Sequence, residues 1–198
     1  VQNIGKLLCI NGAGIQYRWL LNNLAVSSYE EMNNLAAGVE IGSDGLCIVP
    51  FGNGAERMLM NQDVGTRILN LDLNRHTKAH MCRAALEGIA FSFVYGMEIM
   101  KSDGIDPKVI KAGNDNLFQS DIFSNTIATL IQQEIEIYNT TGAIGAARAC
   151  AIAEQGYDGF SAFMRNDHVM TYSPFEDKES YQTAYHNWKK ELELIIKK

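Results

Sequence analysis

No uninterrupted apolar run in the sequence approaches the roughly 18 residues needed to span a bilayer, and 1–8 lacks the charged and apolar blocks of a signal peptide. A cytoplasmic protein is therefore expected. Metal-ligand spacing is missing as well: the four cysteines, Cys9, Cys47, Cys82 and Cys150, stand far apart among apolar neighbours, with no CxxC or Cys/His pairing. They read as reduced core residues. Positive charge is scarce, with 17 Lys and Arg against 23 Asp and Glu and a net charge of −6, which argues against a general nucleic-acid surface. Its basic cluster, Lys189, Lys190, Lys197 and Lys198, is mixed with glutamates and reads as a solvated helix. Also absent are internal repeats, low-complexity linkers, a recognisable Ser/His/Asp arrangement and a general base matched to a nucleophile. By itself the chain looks like half of a site.

What is present is a soluble globular composition over 198 residues, enough for one large core or two small ones. Its organising stretch runs from Asn74 to Gly104, where Cys82, Leu86, Ile89, Phe93, Met97 and Met100 recur at helical spacing and predict one apolar face. Thr77 or Asn74 can cap its start, and Gly104 suits its end. Gly88, in mid-helix, costs roughly 1 kcal/mol against alanine unless another backbone comes close, so close packing is expected there. His80, Arg83 and Glu87 form a polar stripe, read either as a solvated face with an ion pair or as ligand contacts.

In chain order, Lys6–Ile10 has strand length and ends in the glycine turn Asn11-Gly12-Ala13-Gly14, followed by a helix from Ile15 to Ala25 with Ile15, Trp19, Leu20 and Leu24 as its apolar residues. A helix start behind glycines can hold a phosphate, but the pattern is neither a P-loop nor GxGxxG, and a plain turn is the other reading. Ser28 and Glu31 match a capping box for a helix over Tyr29–Ala37. Leu46–Pro50 is a buried-strand candidate, followed by the glycine-rich loop Phe51 to Arg57, either a ligand loop or an ordinary surface loop. Alternation predicts strands at Thr66–Leu73 and Glu134–Tyr138, and Val109–Ala112 is a short strand before Gly113-Asn114-Asp115-Asn116. Those polar residues either cap the helix Phe118–Ile131 or contact a ligand. Ala143–Ala153 is so rich in small residues that tight packing through Gly142 and Gly145 is expected, and the stretch from Gly156 to Phe175 shows no periodicity. An amphipathic helix over Lys178–Ile196 then presents Tyr181, Tyr185, Trp188, Leu192 and Ile195 on one face. Alternating strands and helices after Thr66 place the chain in the α/β class.

The order of motifs resembles the C-terminal domain of the FGGY family of carbohydrate kinases, and within it most closely the xylulokinases. The likeness covers 4–157. His80, Met81, Ala84, Ala85, Leu86 and Glu87 fill the family signature in order, and Pro50-Phe51-Gly52-Asn53-Gly54-Ala55-Glu56-Arg57 is similar to its loop of proline, glycine, glutamate and arginine. Ala112-Gly113-Asn114 with Asn116 and Phe118 looks like its adenosine motif, and Gly142–Ala147 like its closing glycine-alanine helix. This chain departs from the family at Asn70, where glycine is usual, and at Ala112-Gly113, where two glycines are usual.

The resemblance implies an actin-like ATPase fold of the ribonuclease H type, of which this chain, as a single domain over 1–198 with a helical C-terminal extension over 158–198, is the second half. The catalytic aspartate and most of the sugar site lie in the family's first half, so no catalytic residue is expected here and the fragment is expected to be inactive alone. Gly113, Asn114 and Asn116 would face the adenosine, Gly54 would let backbone approach the nucleotide, and Glu56 with Arg57 would support that loop. ATP with Mg²⁺ and a ketose, D-xylulose, are the implied reactants. Alternatives left open are another sugar (glycerol, gluconate or a different pentulose) and a non-catalytic module that binds nucleotide or protein; a homo-oligomer is an open alternative for its assembly.

Overall fold

A computed structural model describes residues 5–150, 152, 156, 158 and 167–196. The chain divides into two compact units, Val1–Asp106 with Asp177–Lys198, and Pro107–Glu176.

In the first unit α1 (Ala13–Asn23) and α2 (Tyr29–Ala37) precede the antiparallel pair β1 (Cys47–Phe51) and β2 (Gly65–Leu69), in register from Cys47 opposite Leu69 to Phe51 opposite Gly65. The long helix α3 (Lys78–Ser102) packs on β1 and α2, and the C-terminal helix, Glu179–Ile196, returns to pack on α3 and β1. Thr77 is the cap of α3, with His80 Nδ1 accepting the Thr77 N–H in return. At the other end Gly104, at φ +81°, donates to Lys101 and Ile105 donates to Met100, the paired bonds of a Schellman stop.

Gly88 meets its expectation. A Cβ built there would lie 2.1 Å from the Ile48 carbonyl oxygen, so α3 rests directly on the backbone of β1. Trp188 closes the same spot, its indole N–H donating to the Ile48 oxygen at 2.8 Å while its ring stacks on Tyr185. Tyr181, Tyr185, Trp188 and Leu192 are all buried, which docks the C-terminal helix as its periodicity required.

Several expectations are corrected. Lys6–Ile10 is not a strand, because no described strand pairs with it and a strand lives on its partner's ladder. In α1 the inward residues are Ala13, Gln16, Tyr17 and Leu20, while Ile15 and Trp19 are half exposed. β2 stops at Leu69 because Asn70 sits at φ +61°, a left-handed position that asparagine tolerates and that glycine would occupy freely. Beyond it Leu73 is 86% exposed. The Arg83 and Glu87 stripe is buried rather than solvated: the two pair at 2.6 Å, and Glu87 also accepts from the Gly42 N–H and the Ser43 hydroxyl. Burial pushes the Glu87 carboxyl above its ordinary range, against the opposing pull of Arg83.

In the second unit β3 (Ile110–Gly113) runs parallel to β4 (Ile135–Tyr138), joined by the crossover helix α4 (Asp121–Ile131), and β5 (His168–Tyr172) adds antiparallel to β4. β5 lies in the stretch that showed no periodicity, where only sheet pairing marks it. Ile135, Ile137, Phe123, Ile127 and Ala128 are buried. Helix α5 (Gly142–Cys150) carries no buried residue, and no described atom lies within 4 Å of a Cβ added at Gly142 or Gly145, so the tight packing expected of it is not found. Its predicted end beyond Cys150, at Ala153, lies outside the described residues, as do Lys197 and Lys198 of the basic cluster and both ends of the family likeness. Cys150 is exposed rather than part of the core. The C-terminal helix, Glu179–Ile196, is α6. Among the described residues no helix is long and apolar enough to cross a membrane.

Candidate functional site

In the first unit a cleft of about 660 Å³ opens between α1 and the β1–β2 hairpin. Its walls include Gly12, Gln16 and Trp19 from the helix and Gly52, Gly54, Thr66 and Ile68 from the hairpin and its loop. Two glycine turns interlock beneath it. Glu56, fully buried, accepts the Asn11 N–H on one carboxylate oxygen and the Gly12 N–H on the other, both at 2.9 Å. Asn11 in turn donates its side-chain amide to the Ala55 oxygen at 2.9 Å, and Asn53 donates to the Asn11 oxygen at 3.1 Å. Gly12 permits this contact: a Cβ there would lie 1.9 Å from the Pro50 oxygen.

Two sequence-selected residues are thereby explained and one is separated from its neighbour. Gly54 takes φ +80° with open space around it, so its glycine is required by backbone conformation, and it lines the cleft. Glu56 secures the α1 turn, while Arg57 is exposed, begins a short 3₁₀ turn and makes no ion pair among the described residues. Sequence reading missed Gln16. This side chain is 6% exposed, lines the cleft, and its Oε1 has no hydrogen-bond partner among the described residues. A buried amide oxygen without a donor costs about 1–3 kcal/mol, and a ligand N–H or O–H recovers it. The signal was available: Ala13, Gln16, Tyr17 and Leu20 share the i, i+3, i+4, i+7 spacing, but the apolar Ile15 and Trp19 drew the apolar face to the wrong side.

The glycine turn at Asn11–Gly14 is a poor phosphate cradle. Its first two N–H groups already hold the Glu56 carboxylate, which sits at the positive end of the α1 dipole and opposes a second anion. Apolar Ile15, Trp19 and Ile68 suit an uncharged, flat group instead.

In the second unit the residues Gly113, Asn114 and Asn116 follow β3 together. Gly113 is forced by packing, since a Cβ would lie 2.6 Å from the Thr140 oxygen. Asn114 donates its backbone N–H to Tyr138 at 2.7 Å, which fixes the loop to the end of β4. Asn116 takes φ +51°. Neither asparagine caps α4, whose cap is Ser120, with its hydroxyl accepting from Phe123. Both asparagine side chains are exposed and make no hydrogen bond among the described residues, leaving two carboxamides open to a ligand.

These motifs have counterparts among known proteins. Residues 8–154 match the model of the FGGY family of carbohydrate kinases, C-terminal domain. The chain belongs to that family. It is 28% identical over 189 residues to a xylulose kinase of Haemophilus influenzae, covering 92% of this chain and 38% of that protein. A gluconokinase of Bacillus licheniformis is 28% identical over 140 residues, covering 65% of this chain and 27% of its own length. Among solved structures, xylulose kinase from Rhodospirillum rubrum superposes with a TM-score of 0.76 at 25% identity, over 93% of this chain and 39% of that one. The fold is therefore that of the actin-like ATPases, ribonuclease H-like, and the chain corresponds to the C-terminal part of such a kinase. It spans about two-fifths of the length of the xylulose kinases it matches.

Proposed function

We propose that this FGGY chain is the nucleotide-binding half of an ATP-dependent sugar kinase, and that the complete protein converts D-xylulose to D-xylulose 5-phosphate in the cytoplasm. The observation that carries the nucleotide assignment is the match of the family model across 8–154, combined with hydrogen-bonding groups left unpaired where a ligand can reach them: Gln16 Oε1 in the first unit, Asn114 and Asn116 in the second. On this reading Gly113, Asn114 and Asn116 face the adenosine. Gly54 lets the nucleotide approach backbone, and Glu56 holds the turn that presents Gln16.

Phosphoryl transfer is positioning plus charge stabilisation, with a base on the attacking hydroxyl and cations on the phosphates. The groups this chain brings to the nucleotide are mainly carboxamides, glycines and apolar walls, with Asp63 and Thr66 also lining the cleft, and on this reading they orient and desolvate a base and sugar. Among the described residues no group of three or more His, Cys, Asp or Glu stands together. The catalytic base belongs to the other half of the complete protein, and this chain alone is expected to be inactive.

Xylulose is favoured because xylulose kinases of Haemophilus influenzae and Staphylococcus xylosus are similar over 92% and 89% of the chain. A second substrate reading has specific support too: a glycerol kinase of Beutenbergia cavernae is 28% identical over 190 residues. A coupled ADP-release assay of the complete gene product on D-xylulose, glycerol and gluconate decides. A kcat/KM at least 100-fold higher for D-xylulose supports the assignment, a preference for glycerol or gluconate replaces the sugar, and no turnover on any sugar favours a non-catalytic binding module.

A further inference from the structure

The geometry points to Glu56 as a positioning residue for the nucleotide, acting at a distance through α1: its carboxylate fixes the first turn of that helix and so places the unpaired Gln16 oxygen in the cleft. The inference rests on the nucleotide reading above. Four observations lead to it. Glu56 is fully buried although its side chain is polar, and its two oxygens take the N–H groups of consecutive residues, Asn11 and Gly12, at 2.9 Å each. Its own backbone is anchored on both sides, accepting from Leu59 and Asn61 and donating to Gln62. The first bond within α1 runs from the Gln16 N–H to the Gly12 oxygen at 3.1 Å, so the residue whose N–H Glu56 holds is the one from which Gln16 is hung. Finally, Gln16 Oε1 is buried, unpartnered and in the wall of the cleft that Gly12 and Gly54 also line.

A carboxylate suits this task for a reason that a neutral side chain cannot meet. Two N–H donors converge on it, and both of its oxygens accept; a glutamine presents one oxygen and one NH₂, so one donor faces another donor. The charge also complements the N-terminal end of the α1 dipole. The register of the helix start against the hairpin loop is thus set by a contact between residues more than 40 positions apart, with the exposed Asn53-to-Asn11 bond as a lesser strap.

Equilibrium dialysis of radiolabelled ADP, which reports stoichiometry separately from affinity, tests this on the chain itself and its Glu56→Gln, Gln16→Leu, double and Asn53→Ala variants. The expected result is full stoichiometry with about tenfold weaker binding for Glu56→Gln, a similar loss for Gln16→Leu, and no further loss when the two are combined, since both remove one interaction. Asn53→Ala, an exposed change that leaves the fold intact, is expected to weaken binding two- to threefold and keeps the test alive if Glu56→Gln does not fold. Wild-type affinity in both Glu56→Gln and Asn53→Ala, or reduced stoichiometry at unchanged affinity, would make Glu56 a stabilising residue and overturn the inference. Additive losses in the double variant would overturn the route through Gln16. If the wild-type chain takes up no ADP, the nucleotide reading falls and carries this inference with it, an outcome distinct from binding that is indifferent to Glu56.

Discussion

Replacing Gly88 by alanine sets two effects of opposite sign against each other. In an exposed helix the change stabilises by roughly 1 kcal/mol, because glycine has the greater backbone freedom to lose. Here the added methyl would lie 2.1 Å from the Ile48 oxygen and 3.1 Å from its carbonyl carbon, both backbone atoms of β1 that no side-chain rotation can move aside. Overpacking of this kind costs about 1–3 kcal/mol. Moving α3 off β1 also disturbs the 2.8 Å bond from the Trp188 indole to the same oxygen, worth about 0.5–1.5 kcal/mol. The net expectation is a loss of about 0.5–3.5 kcal/mol, or a fall in Tm of roughly 1–14 °C for a chain of this size. Urea unfolding followed by Trp188 fluorescence in a Trp19→Phe background reads it directly, since Trp188 is buried and Trp19 is half exposed. A variant as stable as the parent, or more so, would refute the claim that α3 lies directly on the backbone of β1.

Arg83→Met leaves Glu87 buried beside only the Gly42 and Ser43 donors and is expected to cost about 3–5 kcal/mol near neutral pH. Because burial already raises the Glu87 pKa above its unfolded value, the group works against folding increasingly as pH rises from the ordinary carboxylate range; the deficit in Tm should therefore be smaller at pH 5 than at pH 8, and a larger deficit at pH 5 would contradict the burial argument. Asn70→Val, at φ +61°, should destabilise by about 1–2 kcal/mol in urea titration while Asn70→Gly stays within about 0.5 kcal/mol of the parent. Alkylation at pH 8 with peptide mapping should label exposed Cys150 first, because burial pushes the Cys47 thiol up to about 12 and Cys82 to about 11, and labelling of those two should rise only as pH climbs towards those values.

Helix spacing made α3 and α6 legible because each buries a face that repeats in sequence, and Gly88 was legible because a glycine in mid-helix needs a backbone neighbour. The buried polar contacts were not. Glu87 answers to Gly42 and Ser43, and Glu56 to Asn11 and Gly12, all more than 40 residues away, and nothing local distinguishes such a carboxylate from a solvated one. For α5 the error ran the other way, since small side chains permit close packing without supplying the neighbour that would occupy it. Lys6–Ile10 shows the same limit for strands: an apolar run specifies a face, but the ladder belongs to two segments. In the candidate site, the glycines and asparagines were found through the family likeness, while Gln16 needed the true rotation of α1, which the outward-facing apolar Ile15 and Trp19 concealed.

The central claim is that this chain holds the nucleotide. Calorimetric titration of the chain with Mg-ADP, repeated on Asn116→Ala, tests it most directly, because the Asn116 side chain is exposed and supports no packing. The account predicts saturable binding that weakens about fivefold or more in the variant, with stability lowered only by the roughly 1 kcal/mol that alanine costs at φ +51°. Heats of dilution alone up to millimolar nucleotide, or binding that ignores Asn116, would contradict it.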